Sequence, residues 1–166
     1  MSGARAPAFE LPNVGPGPDP IALSDLTVEG EFVVLFFQRG YRSTPCREQV
    51  TRVGKRIDGF LARNAAVAAV VPEPREQVER WRERIDPPFP LLADPEGTAG
   101  PEYGQSIRLD AIDDWSDFFG RMPLVAVVDA RGLDPEIAWT YRSNWVSDRP
   151  KTAAILDAVD EVADER

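Results

Sequence analysis

Glu31-Phe-Val-Val-Leu-Phe-Phe-Gln-Arg-Gly-Tyr-Arg-Ser-Thr-Pro-Cys-Arg-Glu-Gln-Val50 is the passage from which the architecture can be read. Its first half, Glu31–Phe37, is a continuous apolar run, the pattern of a strand buried on both faces. A polar loop follows. Thr44 is a good helix N-cap, and Pro45 suits the first helical position, where a missing N–H is no loss. Val50, Val53, Ile57, Phe60 and Leu61 then recur at helical spacing. The passage therefore predicts a buried strand, a loop and a helix, with Cys46 in the first helical turn.

Ala65–Val71 reads as a second buried strand, so the two strands and the helix between them form a unit that pairs in parallel. Toward the N-terminus, Phe9–Leu11 and Ile21–Leu23 read as short strands joined by the Pro/Gly-rich turn of residues 12–20. Toward the C-terminus, Pro74–Ile85 has Val78, Trp81 and Ile85 at helical spacing, and Phe89–Ala93 is a short strand closed by the turn Asp94-Pro-Glu-Gly97. A short helix is expected to about Tyr103. Residues 105–120 are polar, with Trp115, Phe118 and Phe119 embedded, and read as an inserted loop. Leu124–Asp129 and Ile137–Arg142 are two further strands around Arg131-Gly132, where antiparallel pairing is expected, and Thr152–Val162 closes the chain as a helix. The predicted class is an α/β sandwich, a central mixed sheet flanked by helices with an N-terminal β-hairpin. All of residues 1–166 belong to one domain on this reading.

Composition narrows the chemistry. The chain has 28 acidic and 19 basic residues, a formal charge of -9, so nucleic-acid binding is not expected. No apolar run reaches the length of a membrane span, and Met1-Ser-Gly-Ala-Arg-Ala-Pro7 has no signal-type apolar stretch. A cytoplasmic protein without membrane contact is the expectation. There is no His, which excludes Ser-His-Asp and Cys-His catalysis. One Cys allows neither an internal disulfide nor a cysteine-cluster metal site. No metal or cofactor is expected: Asp110, Asp113 and Asp114 lack the Gly and Glu of a calcium loop and read as a solvated acidic loop.

Catalysis would then fall to Cys46. A cysteine in the first turn of a helix faces unpaired backbone N–H groups and the positive end of the helix dipole, and Arg39, Arg42 and Arg47 add fixed positive charge. These surroundings favour the thiolate, which is the nucleophile. The plainer reading of a lone cysteine is a small core residue; the polar Ser43-Thr44-Pro45 lead-in speaks against it. For Ser43 itself a plain capping role stands equally open.

In these motifs the chain resembles the peroxiredoxin family (alkyl hydroperoxide reductase/thiol-specific antioxidant) of the thioredoxin-fold superfamily. Ala6-Pro-Ala-Phe-Glu-Leu-Pro12 and Ala22-Leu-Ser-Asp-Leu26 resemble the family's opening segments. Ser43-x-x-Cys46 matches its Thr/Ser-x-x-Cys signature, and Phe89-Pro-Leu-Leu-Ala-Asp-Pro-Glu-Gly97 with Tyr103-Gly104 is similar to its "FPLLSDPDG…YG" stretch. The resemblance implies a thioredoxin-like sandwich and a hydroperoxide substrate. Cys46 would be the peroxidatic cysteine, oxidised to a sulfenic acid. Ser43 would supply the hydroxyl that holds thiolate and peroxide, and the backbone at Pro45–Cys46, next to Thr44, would stabilise charge developing on oxygen.

The chain departs from the family at two places. Arg39 stands where the fuller signature has Pro. Pro123 stands where the family has an active-site Arg, as the cis-proline of thioredoxins does; Arg121, two residues earlier, is the nearest substitute. Residues 39–46 also resemble a subgroup with "RGxWCPxC", with Ser43 in place of the first Cys. With one cysteine, a sulfenate on Cys46 would need an external thiol reductant, a small molecule or a thioredoxin-like protein. A homodimer is in keeping with the family; the Trp139, Tyr141, Trp145 stripe reads as core before interface. The alternatives are a thioredoxin-like thiol-exchange or sensing module, which Pro123 favours, and a redox-inactive scaffold.

Overall fold

The computed structural model describes residues 4–39, 44–105, 123–143 and 149–165. The apolar runs form the middle of a six-stranded sheet. β1 (Ala4–Arg5), β4 (Phe32–Phe37), β5 (Ala65–Val71), β6 (Leu91–Ala93), β7 (Leu124–Asp129) and β8 (Glu136–Arg142) lie in the order β1-β8-β7-β4-β5-β6. β4 pairs with β5 in parallel, Phe32 opposite Ala65, and with β7 antiparallel, Phe32 opposite Asp129. β7 and β8 form the expected antiparallel pair, with a register shift between Val127 and Val128. β2 (Glu10–Leu11) and β3 (Ile21–Ala22) make the small antiparallel hairpin ahead of it. The mixed α/β architecture is therefore the one the sequence predicts.

Because β4 and β5 are covered on both sides, alternate residues feed two separate cores. Phe32, Val34 and Phe36 of β4 and Ala65, Val67, Ala69 and Val71 of β5 face one layer. Its helices are α2 (Thr44–Lys55), α3 (Ile57–Ala62), α4 (Arg75–Ile85) and α6 (Thr152–Asp164). Val33, Leu35 and Phe37 face the other, filled by α1 (Leu23–Glu29), α5 (Ala99–Glu102), Tyr103 and the hairpin. Trp139 and Tyr141 of β8 are half-buried against the first core, their ring centroids 6.4 Å apart, as the core reading expects. Trp145 and the Asp110, Asp113, Asp114 loop lie outside the described residues.

Three details correct the sequence reading. Leu23–Glu29 is a helix, with Leu23 and Leu26 buried and the Asp25 carboxylate accepting the Ala22 N–H at 2.8 Å. The long helix predicted after the loop breaks at Arg56 into α2 and α3. And α2 begins at Thr44, one residue early, so Thr44 lies inside the helix and not at its cap; Pro45 remains in the first turn, where no N–H is needed.

The loop of residues 12–20 is organised by Asn13, which is 4% exposed. Its Nδ2 donates to Pro16 O and Pro18 O at 2.8 and 2.9 Å, and its Oδ1 accepts from Gly15 N and Leu91 N. The Asp94 turn works similarly: its carboxylate accepts from Gly97 N and Ala99 N, and Gly97 takes a φ of 65° that favours glycine.

Arg131, in the β7–β8 turn, locks the sheet to the end of α6. It pairs with Asp129 at 2.9 Å, donates to Val162 O, Ala163 O and Glu165 O, and lies over the Phe32 ring at 5.0 Å. Its hydrogen bond to Asp129 raises its pKa. Arg131→Met keeps the stem and removes the donors; we expect a loss of about 1–2 kcal/mol, read as a lower urea midpoint at unchanged slope.

Candidate active site at the β4–α2 junction

The chain leaves β4 through Gln38 and Arg39, and the described residues resume at Thr44 in α2. Gln38 N continues the parallel ladder to Val70 O at 2.9 Å, which fixes the direction of the exit. Two residues into α2, Cys46 turns inward on the face it shares with Gln49, Val50 and Val53. Its side chain is fully buried and belongs to the first core.

The sulfur nevertheless has polar partners. The Arg39 N–H donates to Cys46 Sγ at 3.2 Å, and Arg149 Nη2 donates to it at 2.8 Å. Arg149 lies in the segment just before α6, 103 positions along the chain from Cys46. Arg39 contributes charge as well: its side chain is buried, and burial lowers its pKa. The sulfur opposes that shift and Arg149 adds to it. Three groups thus share one buried electrostatic environment, two guanidiniums and one sulfur.

Two buried glutamines flank this junction in sequence. Gln49 follows Cys46 by about one helical turn, and strand alternation carries Gln38 to the same layer as Phe36. Both are almost wholly buried, and among the described residues Gln38 Oε1 and Gln49 Nε2 have no hydrogen-bond partner.

The predicted site residues distribute unevenly. Cys46 and Arg39 come together as expected. A backbone amide that reaches the sulfur is that of Arg39, at the exit of β4. Thr44 is exposed, and its Oγ1 accepts from Arg47 Nη2 at 3.2 Å. Pro123 is buried at the start of β7, and its carbonyl accepts the Ser143 N–H at 3.1 Å. Ser43, Arg42 and Arg121 lie outside the described residues, as does Met122 of the Met122-Pro123 bond. Sequence reasoning missed Arg149, Gln38 and Gln49. The one available signal for Arg149 was its place directly before Pro150 and the last helix, a helix predicted to pack on the sheet.

Among the described residues no group of His, Cys, Asp and Glu could hold a metal ion, and no helix is long and apolar enough to cross a membrane.

A strand–loop–helix cysteine on a mixed sheet flanked by helices defines a thioredoxin-fold protein. The chain belongs to the AhpC/TSA family, whose family model matches residues 2–133. Membership places it among thiol-dependent redox proteins. No curated protein sequence matches it. Its solved structural neighbours include peroxidoxin BcpB from Mycobacterium tuberculosis, 23% identical over 99% of this chain and 97% of that one, with a TM-score of 0.73. Mycobacterium tuberculosis AhpC is 19% identical over 98% of each chain, with a TM-score of 0.77. A thiol:disulfide interchange protein DsbE from Chlorobium tepidum is 20% identical over 98% of this chain and 95% of that one, with a TM-score of 0.66.

Proposed function

We propose that the protein is a thiol-dependent peroxidase in which Cys46 reduces hydrogen peroxide or a small organic hydroperoxide and an external thiol regenerates it. The observation that carries this reading is the pair of donors on Cys46 Sγ, the Arg39 N–H at 3.2 Å and the Arg149 guanidinium at 2.8 Å. A structural core cysteine has no use for either.

The Cys46 thiolate attacks the terminal peroxide oxygen. An S–O bond forms, the O–O bond breaks, and the departing alkoxide or hydroxide takes a proton to leave as alcohol or water. The Arg149 guanidinium, already on the sulfur, stabilises the charge that develops on the departing oxygen. Ser43, three residues before the cysteine, is assigned the hydroxyl that aligns thiolate and peroxide; Arg121 and Pro123 would border the substrate. The sulfenic acid then condenses with one external thiol, releasing water and forming a mixed disulfide. A second thiol attacks that disulfide, returning Cys46 to its reduced form. Two thiols are oxidised for each peroxide reduced.

The second reading, disulfide exchange with partner proteins, draws on the likeness to the DsbE structure. Mixing reduced protein with one equivalent of hydrogen peroxide separates the two. A gain of one oxygen on intact mass, trapped by dimedone at Cys46 within seconds, is the expected result. Slow peroxide reaction with rapid exchange against a small disulfide would favour the second reading, and ordinary thiol rates toward both would leave only a scaffold.

A further inference from the structure

The chain contains only two lysines, Lys55 and Lys151, and both line the same cleft. The cleft, about 390 Å³, lies between the end of α2 and the start of α6 and is bordered by Arg52, Lys55, Arg56, Lys151, Thr152 and Ala153. All four cationic residues are exposed, and among the described residues no acidic one lines the cleft. None of the four takes part in an ion pair among the described residues, although the chain carries nine more acidic than basic groups.

Helix electrostatics explain part of this. Arg52 and Lys55 sit in the last turn of α2, where cations are favoured. Lys151 does not fit that account. It occupies the N-cap of α6, where positive charge is unfavourable, and the first turn of α6 has no acidic residue to offset it. Among the described residues, a chain rich in carboxylates thus lines one cleft with four cations and no counter-ion. A lining of that composition suits an anion.

We propose that this cleft binds phosphate, either free or as the phosphate group of a small phosphorylated molecule. Guanidinium groups grip phosphate oxygens in pairs and ammonium groups add point charge; both types line the cleft. Its volume is within the range of small-molecule sites, ~300–1,000 Å³, so it can admit more than the phosphate itself. The site is separate from the peroxide chemistry, and Cys46→Ser should bind phosphate as the parent protein does.

The test is calorimetric titration of the full chain with inorganic phosphate and with glycerol 3-phosphate, each against sodium chloride at matched ionic strength. Saturable binding with Kd on the order of 1 mM or tighter is expected, weakening as salt rises. Lys55→Glu/Lys151→Glu should weaken it by about tenfold or more. Arg80→Glu/Arg84→Glu, the same charge change on α4 away from the cleft, should not. Should the double variant fail to fold, Lys151→Gln alone must still weaken binding. Equal affinity for the two ligands identifies free phosphate as the occupant; tighter glycerol 3-phosphate identifies a phosphorylated small molecule. Heat no greater than that of chloride, or binding indifferent to Lys55 and Lys151, overturns the proposal.

Discussion

In the Cys46→Ser variant, peroxide consumption in the presence of excess dithiothreitol should fall to the rate of buffer with dithiothreitol alone. No second thiol exists to take over, since the chain has one cysteine and no histidine. A serine hydroxyl is far less nucleophilic than a thiolate. The same substitution should barely disturb the fold. Serine is close to isosteric, and its oxygen can accept the Arg39 N–H and the Arg149 guanidinium in place of the sulfur. We expect the urea midpoint to reflect a change of about 1 kcal/mol or less. Residual peroxidase activity in this variant would remove Cys46 from the mechanism. A collapse of stability would point instead to a packing role.

Arg149→Met should also damage activity strongly, again without a large cost to the fold. The variant keeps an apolar stem and loses the 2.8 Å donor on the sulfur. Removing one preorganised donor from developing charge commonly lowers a rate by ~10²–10³, and we expect that loss in the second-order reaction of Cys46 with hydrogen peroxide. Stability should hold or rise. Arg149 works against the charge on Arg39, whose pKa is already depressed by burial, so deleting one of two neighbouring cations relieves a repulsion. Stopped-flow oxidation together with a thermal melt reads both effects. Arg149→Lys should recover part of the rate, because an ammonium restores charge without the planar fork. A melt that drops with unaltered kinetics would make Arg149 a structural residue only.

The long elements were legible because their burial is written in unbroken apolar runs. Phe32–Phe37, Ala65–Val71 and Leu124–Asp129 could be strands covered on both faces and little else, and the helix between the first two forced them parallel. Leu23–Glu29 was not legible. Seven residues give too few turns for a helical period to emerge, and Leu23 and Leu26 fit a strand end equally well. β1 was invisible for another reason: Ala4 and Arg5 pair only because β8 offers an edge at Ile137 and Glu136. At the site, position along the chain led to Cys46 and Arg39 but also to the expectation that neighbouring arginines would supply the charge. The guanidinium on the sulfur arrives from Arg149, and only the stacking of α6 on the layer of α2 brings it there. Gln38 and Gln49 carry no motif; their vacant hydrogen-bonding atoms become visible only when burial is known.

The guanidinium on Cys46 Sγ belongs to the last eighteen residues of the chain, whereas Cys46 and Arg39 belong to the first third. Synthesis proceeds from the N-terminus, and elements fold as they emerge. A nascent chain can therefore assemble β4, α2 and β5 around a thiol that still lacks its arginine. The thiol gains this guanidinium only once the segment carrying Arg149 and α6 has been made and has docked, so on the peroxidase reading the nucleophile is armed late.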